Sequence, residues 1–131
     1  MSRIEAAVAI VEYKGKILLG KKIHSKSLLS KTWHIPGGKK RPEETYAQAL
    51  IREIEEEANI KIQVLNLIDE FSNKEMRVKW YICRPQTTMI KPGDDLADVK
   101  FVPKEDVIKL CDEKAISLWP PKVKEYFFQN L

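Results

Sequence analysis

Hydrophobic positions along the chain follow two different periods, and the change between them lays out the elements. Valine, isoleucine and alanine run almost unbroken through residues 5–13; Lys14-Gly15-Lys16 interrupts them, and Ile17, Leu18 and Leu19 resume the run within residues 16–23. That pattern predicts a hairpin of two largely buried strands. A polar stretch, 24–32, predicts a loop bordering a pocket. A short strand at Trp33-His34-Ile35 then ends in a Pro36-Gly37-Gly38 turn. From 45 to 58 the period becomes helical: Ala47, Leu50, Ile51, Ile54 and Ala58 make one apolar stripe. Thr45 and Gln48 have capping-box spacing, and Asn59 tolerates the left-handed backbone that ends a helix. Alternation returns in 60–71 through Ile60, Ile62, Val64 and Leu67, with a bend near Asn66. After a turn at 72–74, residues 75–84 form a strand with Met76, Val78, Trp80 and Ile82 on one face. Residues 87–90 extend the sheet, 91–95 form a loop, 99–102 a short strand and 103–111 a helix with Pro103 near its start. Trp119-Pro120-Pro121 introduces a last helix over 122–130, with Val123, Tyr126 and Phe127 as its core face. Strands interspersed with two or three helices predict a mixed α/β layered fold.

Composition narrows the class. A chain of 131 residues suits a single domain, residues 1–131, and 44% hydrophobic with 32% charged content is that of a soluble globular protein rather than a disordered one. The formal net charge is +4, mostly from lysine. A basic surface around an acidic cluster suits a polyanionic substrate. No basic stripe interleaved with aromatics accompanies it, so nucleic acid is not an expected partner. Glu5 and Glu12 break the first apolar run, which therefore predicts a strand and not a signal peptide, and no run reaches the roughly 18 apolar residues of a membrane span. Cys83 and Cys111 have no metal-ligand spacing, as in a reduced intracellular protein. The expected location is the cytoplasm.

Chemistry concentrates in residues 38–60. Six of the thirteen glutamates fall within 43–57. On a helix over 45–58, Glu53, Glu56 and Glu57 stand at i, i+3 and i+4 on one face, away from the apolar stripe, while Glu55 points elsewhere. Like charges so close repel unless a cation neutralises them, which points to a divalent-metal site and so to an enzyme. His34 has no second histidine at ligand spacing and is read as structural or surface.

Residues 38–60 resemble the Nudix box, GX5EX7REUXEEXGU with U a bulky aliphatic residue. Gly38, Glu44, Arg52, Glu53, Ile54, Glu56, Glu57 and Ile60 match, and Asn59 stands in place of the last glycine. The resemblance implies an α/β/α sandwich with a mixed sheet and a loop–helix–loop catalytic motif. It also implies hydrolysis of a pyrophosphate bond in a nucleoside diphosphate linked to another group, with Mg2+ or Mn2+ as cofactor. By resemblance Glu56 and Glu57 are the principal metal ligands, Glu53 is a ligand or activates water, and the carbonyl of Gly37 or Gly38 is a further ligand. Arg52 orients a neighbouring carboxylate and Glu44 supports the loop. The catalytic base is Glu53, or one of the later acids Asp94, Asp95 and Asp98. Lys21, Trp33, Lys39 and Asp95 are the candidates for substrate contacts, and Phe71, Trp80 and Trp119 join Trp33 as aromatics able to stack on a base. The small size, the Trp33–Gly38 sequence and the terminal Trp-Pro-Pro helix look most like the MutT-type nucleoside triphosphate pyrophosphatases. Hydrolases of ADP-ribose, nucleotide sugars or dinucleoside polyphosphates form the alternative, and a binding module without turnover a further one. The partner is a small-molecule nucleotide, with the protein a monomer or homodimer.

Overall fold

The computed structural model describes residues 3–22, 33–93 and 96–129. The 24–32 loop, Ile23, Asp94, Asp95 and Asn130 lie outside the described residues. In chain order the elements are β1 (Ile4–Tyr13), β2 (Lys16–Lys22), β3 (Trp33–His34), β4 (Gly37–Lys39), α1 (Tyr46–Ala58), β5 (Ile62–Ser72), β6 (Met76–Pro85) and β7 (Leu96–Pro103). A 3-10 turn (Lys104–Asp106) then leads into α2 (Val107–Leu110), α3 (Glu113–Ser117) and α4 (Pro121–Phe128).

Lys14 and Gly15 both take positive φ, 48° and 77°, as the tightest hairpin turns require. β1 and β2 pair only at Glu12↔Ile17 and Tyr13↔Lys16 before diverging. Along the rest of its length β1 pairs in parallel with β6, from Ile4↔Met76 to Val11↔Cys83, and antiparallel with β4. β5 pairs antiparallel with β6 beyond it, and β2 pairs antiparallel with β7 and β3. The sheet is mixed, with β1 at its centre.

The unbroken apolar runs of β1 and β2 follow from burial on both faces. Ala7, Ala9, Val11 and Leu18 pack with Leu50, Ile54 and Ala58 of α1. The alternate residues Ile10, Ile17 and Leu19 pack on the other face against Val107, Trp119, Val123 and Phe127. A helical layer therefore covers each face, giving the α/β/α arrangement. Trp80, Trp119 and Phe127 form an aromatic cluster in the second layer, with ring centroids 6.0 Å and 5.1 Å apart. Trp80 and Trp119 are thus core residues first, each 7% exposed.

Several expectations need correction. Pro36-Gly37-Gly38 is not a turn: Gly37 and Gly38 are strand residues paired with Val8 and Ala7. Residues 87–90 form no strand; Met89 is 84% exposed and its N–H donates to Thr87 Oγ1 in a turn. On α1 the buried residues are Ala49, Leu50, Ile54 and Ala58, whereas Ile51 is exposed. The helix over 103–111 is the 3-10 turn followed by α2, and α3, capped by Asp112 Oδ1 accepting from Lys114 N at 2.8 Å, had no counterpart in the pattern. The bend near Asn66 is two bulges, at Leu65 and Ile68. Each extra residue flips the facing, so Leu67 leaves the core at 47% exposure while Ile68 packs in the second layer.

Burial pushes the Cys83 thiol up to about 12 and the Cys111 thiol up to about 11. Reactivity belongs to the thiolate. At pH 8 an alkylating reagent is expected to leave the native protein unmodified and to label both cysteines in guanidinium, as read by intact mass.

Candidate functional site

The site is built on α1, whose ends are closed by side chains. Thr45 Oγ1 accepts from Gln48 N at 3.1 Å while Gln48 Oε1 accepts from Thr45 N at 2.9 Å, so the capping box is complete. Asn59 ends the helix at φ 58°, the left-handed conformation expected of it. With Leu50, Ile54 and Ala58 turned to the core, Arg52, Glu53, Glu56 and Glu57 emerge on the opposite flank.

Arg52 organises that flank. Its Nε and Nη2 donate to Glu44 Oε2 and Oε1 at 2.7 Å and 2.9 Å, a bidentate pair. Nη2 also donates to the Lys39 carbonyl at 3.1 Å, and Nη1 to Glu53 Oε1 at 2.9 Å and to Glu56 Oε2 at 3.4 Å. One guanidinium thus ties the 39–44 loop to the helix and fixes the Glu53 carboxylate. The hydrogen bond from Arg52, followed by one from the Arg41 N–H, holds the Glu44 carboxyl down at about 2. The same pairing with Glu44 raises the Arg52 guanidinium above its ordinary value.

A depressed carboxyl has a defined consequence for acid stability. Its contribution is complete above the ordinary value of 4.5 and is lost as pH falls towards about 2. Glu44→Gln is expected to be less stable than the parent at pH 7 and to show a flatter decline between pH 4.5 and 2, the two curves converging at the acid end. Urea melts at stepped pH measure this.

β4 brings backbone against this flank. A Cβ on Gly38 would lie 2.3 Å from Glu53 Cδ, and one on Gly37 would lie 2.2 Å from the Ala7 carbonyl oxygen. The glycines serve close approach rather than left-handed backbone, since neither has positive φ. Gly38 leaves the room in which the Glu53 carboxylate sits.

A cavity of about 460 Å³ opens beside the helix, lined by Glu53, Glu55, Glu56, Glu57 and Asn59 and closed by Lys91, Pro92 and Gly93. Among the described residues no three acidic, histidine or cysteine side chains are already gathered as a metal-binding group, and Arg52 bridges Glu53 and Glu56 instead. The donor set nevertheless fits a hard divalent cation: Glu53, Glu56 and Glu57 lie within one helical turn and line the cavity, where Glu55 joins them against expectation, and Gly38 clears space beside Glu53.

The predicted residues separate into two groups. Glu53, Glu56, Glu57, Arg52, Glu44 and Gly38 come together as expected. Gly37 contributes through strand pairing, and exposed Lys39 through its carbonyl to Arg52. Lys21 lies over the Trp33 ring at 5.9 Å, on the neighbouring strand. Asp98 is exposed opposite Lys21 on β7, its Oδ1 accepting from Val99 N, and it does not line the carboxylate cavity. For 91–93 the sequence predicts only part of the 91–95 loop, and Pro92-Gly93 marks that loop without announcing a wall of the site.

A second cavity, about 440 Å³, lies in the other layer and is almost wholly apolar, with Trp33, His34, Phe71, Asn73, Trp80 and Trp119 among its walls. The 33–38 segment runs from this wall to Gly38 beside Glu53.

Comparison with known proteins agrees with this geometry. The family model for the NUDIX domain matches residues 1–125. A CTP pyrophosphohydrolase of Escherichia coli is 42% identical over 64 residues, 49% of this chain and 47% of that protein, so the matched stretch spans about half the length of this curated relative. Among solved structures, a NUDIX hydrolase from Nitrosomonas europaea superposes with a TM-score of 0.81 at 20% identity, covering 97% of this chain and 71% of the other. A MutT structure from work on Aliivibrio salmonicida and Vibrio cholerae gives a TM-score of 0.72 at 21% identity, covering 96% and 98%. At these identities the structures speak for the fold, while the family match covers nearly the whole chain and includes every residue of the acidic flank. The chain belongs to the Nudix family.

Proposed function

We propose that the protein is a divalent-metal-dependent nucleotide pyrophosphohydrolase of the MutT type, cleaving a nucleoside triphosphate to the monophosphate and pyrophosphate. The observation that carries this reading is the layout of the two cavities. Carboxylates fit for a cation lie at one end of the 33–38 segment, and an aromatic cavity large enough for a base lies at the other. Ile35, which also lines the aromatic cavity, stands three residues before Gly38, and three extended residues span about 10 Å. That separation suits a base at one end and a polyphosphate at the other. The resemblance of 64 residues of the chain to a protein named for CTP pyrophosphohydrolysis supports a triphosphate substrate.

In this reading Glu56 and Glu57, with Glu53 and a carbonyl of β4, would hold magnesium. When bound, the cation neutralises charge on the bridging oxygen and acidifies a water. The chain's own residues do the rest. Arg52 fixes Glu53 through the 2.9 Å hydrogen bond, so that the carboxylate accepts the proton of the attacking water. The water oxygen bonds to phosphorus as the anhydride P–O bond breaks, and pyrophosphate leaves. Lys21 and Lys39, both exposed, stand ready for phosphate oxygens, and Trp33 and Phe71 enclose the base. No helix among the described residues is long and apolar enough to cross a membrane. The free, buried Cys83 and Cys111 fit a cytoplasmic enzyme.

The test is incubation of CTP, the other triphosphates, ADP-ribose and nucleotide sugars with the protein and Mg2+, with products separated by ion exchange. Monophosphate plus pyrophosphate from a triphosphate is expected. Diphosphate plus orthophosphate, or no turnover of any nucleotide, would overturn the reading. Cleavage of ADP-ribose or a nucleotide sugar alone would move the substrate class.

A further inference from the structure

The C-terminal turn of α1 carries Glu56 and Glu57, and helix ends leave backbone carbonyls without intrahelical donors. Here two of them find donors more than thirty residues along the chain. Lys91 N donates to the Ala58 carbonyl at 3.0 Å and Gly93 N to the Glu57 carbonyl at 2.8 Å. The side chain of Asn59 joins this ladder, its Nδ2 donating to the Lys91 carbonyl at 2.8 Å. The contact is close enough to exclude a side chain on the strap: a Cβ on Gly93 would fall 1.8 Å from the Glu56 carbonyl oxygen and 3.2 Å from Glu57 Cα. The strap at 91–93 therefore lies directly on the turn that presents two carboxylates, and it forms the facing wall of their cavity.

We infer that Asn59 is a positioning residue, fastening the 91–93 strap to the end of α1 and thereby fixing the orientation of Glu56 and Glu57 towards a divalent cation. Position 59 has two requirements. Its φ of 58° demands a residue at ease in the left-handed region, and the strap demands a side-chain N–H donor. Glycine, the residue of the Nudix box at this place, meets the first alone; aspartate tolerates the conformation and offers no donor. Asparagine meets both. The strap geometry stands independently of the proposed reaction, whereas the consequence for cation binding rests on that reading of the carboxylates.

The variant for the test is Asn59→Gly, since glycine at a left-handed position relieves strain and keeps the fold. Two measurements on the metal-free full chain and its magnesium titration decide the matter. Amide hydrogen exchange at Lys91 and Gly93 is expected to accelerate about 3- to 10-fold, the range that corresponds to one lost hydrogen bond. Magnesium affinity by calorimetry is expected to fall by a similar factor, with KM for nucleotide unchanged. Asn59→Asp should accelerate the same amides. Unchanged exchange at both amides overturns the fastening. Faster exchange with unchanged magnesium affinity overturns the positioning role. Magnesium binding that neither Asn59→Gly nor Glu56→Gln weakens overturns the cation reading itself.

Discussion

Glu56→Gln is expected to lower turnover more than about 100-fold while leaving the melting temperature unchanged or slightly raised. Residues that merely orient a metal ligand cost 10- to 100-fold when removed, so a direct ligand should exceed that range. The stability side follows from local geometry. The Glu56 side chain is 54% exposed, and its ion pair with Arg52 is long, at 3.4 Å. Exposed pairs of this kind contribute about 0 to 1 kcal/mol. Removing the charge also relieves repulsion among Glu53, Glu56 and Glu57. A carboxylate whose loss destroys activity and spares the fold is one retained for a ligand. Turnover within about tenfold of the parent would exclude Glu56 as a metal ligand.

The two glycines of β4 are expected to fail in opposite ways. In Gly37→Ala the new methyl runs into the backbone of the neighbouring strand, 2.2 Å from the Ala7 oxygen and 2.8 Å from Val8 Cα. Those atoms belong to β1, which is held over eight residue pairs by β6 and cannot retreat. Relief requires β4 to lift from β1, breaking its pairing and the adjoining bond from Ala9 N to the Pro36 carbonyl. A loss of about 3 kcal/mol or more is expected, lowering the melting temperature by about 10 °C. In Gly38→Ala the obstacle is the Glu53 carboxyl group, the far end of a side chain that can swing away. The melting temperature should move by only a few degrees, but Glu53 is displaced by more than an ångström, enough to cost about 100-fold in turnover. Thermal melts and kinetics on the two variants separate these outcomes. Equal destabilisation would mean that Gly38 also serves only the strand.

The contrast between these glycines shows where the sequence was readable. Pro-Gly-Gly carries a local turn signal, while the pairing that makes it a strand comes from Ala7 and Val8, thirty residues earlier. Local chemistry spoke correctly wherever partners were near in sequence: the Thr45–Gln48 box, the left-handed Asn59, the hairpin at Lys14-Gly15. It also spoke correctly for the acidic flank, because helical period alone sets Glu53, Glu56 and Glu57 on one side once Leu50, Ile54 and Ala58 are buried. It misplaced Ile51, which stays outside the core cluster under α1, and Leu67, whose exposure follows from two bulges in β5. It gave no sign of the strap, since nothing in Lys-Pro-Gly announces that its amides will close the end of a helix. The wall of the site is tertiary information; its charged face is local.

The central claim is that the carboxylate flank of α1 holds a divalent cation, and binding of Mn2+ tests it most directly, with free ion counted by electron paramagnetic resonance in the absence of nucleotide. The account predicts saturable binding by the parent protein that weakens at least about tenfold in each of Glu53→Gln, Glu56→Gln and Glu57→Gln. It also predicts unaltered binding in Glu113→Gln, a control far along the chain. Equal binding by the parent and all three α1 variants would contradict it.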